Sequence, residues 1–114
     1  GEGEGEPEVR RMFDFVYAET RYRSHRRLNE LVDRSERQVA SGIPGEEYLV
    51  YDEDGGAIEL DLSAADGSFD LLWFDPATGE RQEAGPVQGG TVVSLAPPFG
   101  PDAVALLTAR SAGG

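Results

Sequence analysis

Residues 69–79 read Phe-Asp-Leu-Leu-Trp-Phe-Asp-Pro-Ala-Thr-Gly and constrain the chain more than any other stretch. Side chains alternate along an extended segment, so Phe69, Leu71 and Trp73 share one face while Asp70, Leu72 and Phe74 share the other. A strand that is apolar on both faces belongs in the middle of a sheet with cover on each side. Asp75-Pro76-Ala77-Thr78-Gly79 then reverses the chain: proline presets φ at the second turn position, Asp75 can cap the backbone just beyond, and Gly79 accepts a left-handed exit. The phase of Trp73 with Phe69 and Leu71 assigns it to the core rather than to an exposed sugar-stacking platform.

The remainder after residue 45 reads as partners for this strand. A first strand is expected at Gln38–Ile43, ahead of a boundary at Gly42-Ile43-Pro44-Gly45. Others are expected at 47–51, 57–63, 68–74, 81–87, 91–96 and 103–109. Ile58, Leu60 and Leu62 alternate with Glu59 and Asp61, the pattern of a half-buried antiparallel strand. The connectors at 52–56, 65–67, 76–79 and 89–90 carry Gly, Asp and Pro, which is hairpin chemistry. Short strands separated by turns every ten residues or so predict a mainly β chain, an antiparallel β-sandwich of about 6–7 strands.

An N-terminal α-helical segment precedes the strands. Residues 1–6 are a Gly-Glu repeat with nothing to bury. From Pro7, apolar side chains at Val9, Met12, Phe13, Val16 and Thr20 fall on one helical stripe. The phase slips beyond Tyr22, which predicts a break within 23–27 and a short helical turn over 28–33. The expected organisation is an acidic tail at 1–7, a helical lead-in at 8–37, the sandwich at 38–110 and a flexible tail at 111–114. A helix of this length is marginal alone in water, so its stripe must dock on something. The candidate docking surface is Val9, Met12, Phe13 and Val16 with Leu72 and Phe74. Three occupants are available to the stripe: the Leu72/Phe74 face of the sandwich itself, a second copy of the chain, or a domain encoded elsewhere.

Charge narrows the partners. Of 22 acids and 10 arginines, residues 1–45 hold 9 and 8, whereas residues 46–114 hold 13 and 2. So acidic a second half repels nucleic acid and anionic lipid, and neither is expected as a partner. Acidity with no lysine also suits a high-salt milieu, a halophilic source being one explanation. The arginine-rich segment 21–37 includes Tyr22, but Glu30, Asp33 and Glu36 interrupt it. It reads as a solvated face paired Glu30 with Arg34 and Asp33 with Arg37, contact with the acidic sandwich being the next choice. No apolar run is long enough for a membrane helix, no signal peptide is visible, and an excised piece of a longer chain fits these features.

No catalytic or cofactor site is expected. Asp52-Glu53-Asp54-Gly55-Gly56 invites a calcium reading, but counting from Asp52 the sixth and twelfth positions are Ala57 and Ser63, not the Gly and Glu of an EF-hand loop. His25 is the lone histidine, sits among arginines and reads as a surface residue rather than a metal ligand. The acids after residue 45 lie on outward strand positions and turns, which is the placement of a solvated surface rather than of a glycosidase pair.

The order of motifs resembles one family. Tyr48-Leu49-Val50-Tyr51, Gly55-Gly56, Leu60-Asp61-Leu62-Ser63, Gly67, Trp73-Phe74-Asp75-Pro76-Ala77-Thr78-Gly79, Gly89-Gly90 and Pro97-Pro98 are similar to the C-terminal β-sandwich of glycoside-hydrolase-like proteins. That domain is also described as a "putative collagen-binding domain of a collagenase". Upstream, Met12-Phe13-Asp14-Phe15-Val16, Thr20-Arg21-Tyr22 and Asn29-Glu30-Leu31-Val32 resemble the last barrel helix and its lead-in. The resemblance implies a non-catalytic accessory domain that packs against and stabilises a catalytic barrel, the catalytic carboxylates lying on that barrel. The alternative it carries is a module binding polysaccharide or collagen.

Overall fold

The computed structural model describes residues 6–32, 37–54, 56–100 and 102–110. Helix α1 (Glu6–Glu19) is followed by a 3-10 turn at Tyr22–Ser24, strand β1 (Arg26–Arg27) and a second 3-10 turn at Asn29–Leu31. Then come β2 (Gln38–Ile43), β3 (Glu47–Asp52), β4 (Ile58–Asp61), β5 (Ser68–Phe74), β6 (Arg81–Gln88), β7 (Val92–Leu95) and β8 (Ala103–Ala109). The larger sheet runs β1-β2-β3-β8-β5-β6, the smaller pairs β4 with β7, and every pairing is antiparallel. The fold is therefore the mainly β, two-sheet architecture expected, with β1 as an additional strand.

Strand β5 sits between β8 and β6, and its two faces do what their alternation requires. Phe69, Leu71 and Trp73 point into the core between the sheets, alongside Tyr48 and Val50 of β3, Ala103, Ala105 and Leu107 of β8, and Ile58, Leu60 and Leu95 of the smaller sheet. Phe74 points the other way, into a second apolar layer with Leu49, Val104, Leu106 and Phe15 of α1. Strands β3, β8 and β5 are thus apolar on both faces because the smaller sheet covers one side and the helix covers the other. Leu28 and Val32, from the segment read as lead-in, are buried in the inner core.

Pairing departs from the expected hairpins. The connector at 76–79 joins paired neighbours, and Gly79 (φ 82°) closes it by donating its N–H to the Asp75 carbonyl at 2.7 Å. The connectors at 52–56, 65–67 and 89–90 instead cross between sheets. Gly42-Ile43-Pro44-Gly45, read as a boundary, carries the end of β2 into the tight turn before β3, where a Cβ on Gly42 would lie 2.1 Å from the Glu47 carbonyl oxygen. Local turn chemistry reports that the chain reverses; which strand it then meets depends on which apolar face needs cover. Ile58 and Leu60 find theirs by pairing with Leu95 and Val93 over the inner core.

Candidate functional site

Helix α1 lies on the outer face of the larger sheet and is held there along its length. Phe15, 1% exposed, stacks on Phe74 with ring centroids 4.3 Å apart. Met12, Val16 and Leu72 pack around them, partly buried. Arg11 donates from Nη1 to the carbonyls of Pro76 (3.1 Å) and Ala77 (2.8 Å), so the turn of the Trp-Phe-Asp-Pro-x-Thr-Gly string serves as its acceptor. Arg81 of β6 reaches back to Glu19 at 2.9 Å and lies over the Phe15 ring. Of the three occupants open to the stripe, the sandwich's own face takes Met12 and Val16.

The contact face is turned relative to the expected stripe. Its centre is Phe15, which the periodicity passed over because its helical neighbours on that face include Arg11 and Glu19. Both reach polar partners across the contact, and this conceals the face in a hydrophobic pattern. Val9 and Phe13 are correspondingly left outside, 54% and 53% exposed. Phe13 stacks on Tyr17, and Tyr17 leans on Tyr22 with centroids 4.7 Å apart. The spacing of Val9, Phe13 and Tyr17 at i, i+4 and i+8 was a signal in the sequence for a second stripe.

That second stripe is one wall of a groove. Glu8, Val9, Met12 and Phe13 line it from the helix, with Val39 of β2, Tyr51 of β3 and Pro76. It continues into a depression of about 560 Å³ bounded by His25, Arg26, Arg27 and Asn29, with Met12, Val39, Leu49 and Tyr51 as its apolar lining. Five large hydrophobic side chains are well exposed among the described residues: Val9, Phe13, Tyr17, Val39 and Val92. Val9, Phe13 and Val39 line this groove, and Tyr17 adjoins it through its stacking on Phe13.

At the end of α1 the chain is tied down by a polar cluster. His25 Nε2 lies 2.5 Å from Glu47 Oε2, and its Nδ1 lies 3.1 Å from Ser41 Oγ. The same Glu47 oxygen accepts the backbone N–H of Arg21 at 2.9 Å. The side chains of His25 and Glu47 are only 7% and 5% exposed, which corrects the surface reading of this histidine. Register explains the burial: Ile43 opposes Glu47 and Ser41 opposes Leu49, so Ser41 and Glu47 are diagonal neighbours on the helix-side face and the ring closes over them. Serine, histidine and carboxylate in a row is also the order of a nucleophilic triad; here His25 and Glu47 are buried and the same Glu47 oxygen holds the Arg21 N–H, so the cluster ties residues 21–27 to β2 and β3.

Elsewhere the arginines pair with the sandwich. Arg21 meets Glu46, Arg37 meets Glu53 and Asp54, and Arg110 meets Asp70. The residues that would pair with Glu30 and Arg37 inside the segment lie outside those described. Tyr51 donates to Asp102, and burial together with that carboxylate pushes its phenol above the ordinary range. Among the described residues no group of three His, Asp or Glu side chains is placed to hold a metal ion.

No curated protein matches the chain in sequence. A solved structure named as a glycoside hydrolase superposes with a TM-score of 0.74 at 16% identity, over 92% of this chain and 25% of its own. A family 5 glycoside hydrolase from Bacteroides vulgatus ATCC 8482 gives 0.73 at 17% identity, over 90% of this chain and 24% of its own. At such identities the likeness is one of fold, and the chain spans about a quarter of the length of either structure. The family model described as "putative collagen-binding domain of a collagenase" matches residues 28–108, from the first inner-core leucine to Thr108 near the end of β8, and the chain belongs to that family.

Proposed function

We propose that this chain is a non-catalytic accessory β-sandwich of a glycoside-hydrolase-like protein, and that it packs against a neighbouring catalytic barrel and stabilises it. Residues 8–37 are then the lead-in from the barrel, built into the sandwich through β1, Leu28 and Val32, and 38–110 the rest of the accessory sandwich. The observation that carries the reading is the gathering of Val9, Phe13, Tyr17 and Val39 on one face, when an isolated domain has no use for a contiguous apolar patch. Helix α1 already satisfies the sandwich with Phe15, which leaves its second stripe free for another body. Two glycoside hydrolases about four times as long, with this fold as part of them, support the choice of a barrel.

The test is Phe13→Asp in the polypeptide that joins this chain to its barrel. Calorimetry of the parent should give one shared unfolding transition, and the variant two separate ones. A variant that melts like the parent, or a reading frame that encodes no barrel beside this chain, overturns the proposal. A second reading, a collagen- or polysaccharide-binding module, is favoured by the groove between α1 and β2. Saturable binding of a collagen peptide or a polysaccharide to this chain, abolished by Phe13→Asp, would establish it instead.

A further inference from the structure

We infer that the surface docking on this face carries carboxylates at its rim, set to meet Arg26 and Arg27. This rests on the docking reading above and names the chemistry of the partner. None of the ten residues lining the larger part of the groove is acidic and the smaller part carries one acid, Glu8, although the chain holds 22. Arg21, Arg37, Arg81 and Arg110 each have a carboxylate partner within the chain. Arg26 and Arg27, both exposed, make no ion pair among the described residues. They form the outermost strand of the larger sheet, so nothing in the sheet lies beyond them. An apolar centre with a charged rim is the usual anatomy of a protein interface, and guanidinium groups there take carboxylates in a two-pronged grip.

The occupant is the barrel-bearing remainder of the same polypeptide rather than a second copy. Two copies would each bring a net charge of -12 and bring the same arginines to the same rim. Like charges facing one another across an interface oppose association. The glycoside hydrolases of similar fold carry about three-quarters of their chain outside the matched part, which is ample for such a partner.

The experiment uses the joined polypeptide and compares Arg26→Glu/Arg27→Glu with Arg26→Gln/Arg27→Gln and Phe13→Asp by calorimetry. Salt is varied from about 10 mM to about 1 M sodium chloride, which shortens the screening length from about 30 Å to about 3 Å. The charge reversal should split the shared transition at low salt and largely restore it at high salt, with the glutamine pair in between. Phe13→Asp should split it at every salt concentration. If Phe13→Asp splits the transition while the reversal leaves it intact at low salt, the acidic rim is refuted and the docking reading stands. An equal split at both salt levels means the arginines act by packing and also refutes the rim. If no variant splits the transition, both readings fall. A dimer of this chain that the reversal dissociates would make the second copy the occupant and overturn the inference.

Discussion

Truncating Phe15 to alanine tests how far the helix belongs to the domain. Its ring is 1% exposed, stacked 4.3 Å from Phe74 and capped by Arg81. Removing a buried phenylalanine costs about 3–5 kcal/mol, from lost transfer energy and the cavity left behind. The stacking with Phe74 contributes about 0.5–1.5 kcal/mol beyond area. One ceiling applies: the loss cannot exceed the free energy of docking α1, since a weakened helix can peel away instead of tolerating a hole. Phe13 is the internal control, two residues along and 53% exposed, and its alanine variant should stay within about 0.5 kcal/mol of the parent in the isolated chain. Urea unfolding should be followed by both Trp73 fluorescence, which reports the inner core, and the helical circular dichroism signal. Phe15→Ala should lower the midpoint by about 2 M, given a urea slope of about 1–3 kcal/mol per molar. Coincident probes mean helix and sandwich unfold together; a helix signal that leaves first sets its docking energy directly. Equal losses for the two phenylalanines, or a loss below about 1 kcal/mol for Phe15 while the two probes stay coincident, would refute the placement of the contact face.

Glu47→Ala strands the Arg21 N–H and the His25 ring and should cost about 2–4 kcal/mol in urea unfolding, with faster hydrogen exchange confined at first to residues 21–27. Raising pH tests Tyr51, whose phenol is held above its ordinary value. A group with a raised folded pKa contributes stability that is complete below its unfolded value of about 10 and is lost as pH climbs through the folded one. Phenolate absorbance should show one late-titrating tyrosine that Tyr51→Phe abolishes. The melting temperature of the isolated chain should rise between about 10 mM and about 1 M sodium chloride, because 13 acids against two arginines in residues 46–114 repel one another. A flat curve would mean that the ion pairs have already dispersed this charge.

Strand positions were legible in the residues because period-two alternation and turn chemistry are local. Residues 68–74 and 103–109 have the bounds expected, and Trp73 lies inside as its phase with Phe69 and Leu71 required. Leu72 and Phe74 likewise announced a second buried face. Which strands pair was not legible, since Asp-Gly and Gly-Gly mark a reversal whether the chain meets its neighbour or crosses to the other sheet. The helix face was misjudged for a related reason: Arg11 and Glu19 look polar in a pattern, and only the positions of the Pro76 and Ala77 carbonyls and of Arg81 make them part of a contact. His25 looked like a surface residue among arginines until β2 and β3 set Ser41 and Glu47 beneath it. Interactions between residues close in sequence can be read along the chain, whereas a partner 16 or 22 residues away, as Ser41 and Glu47 are from His25, exists only once the sheet has been assembled.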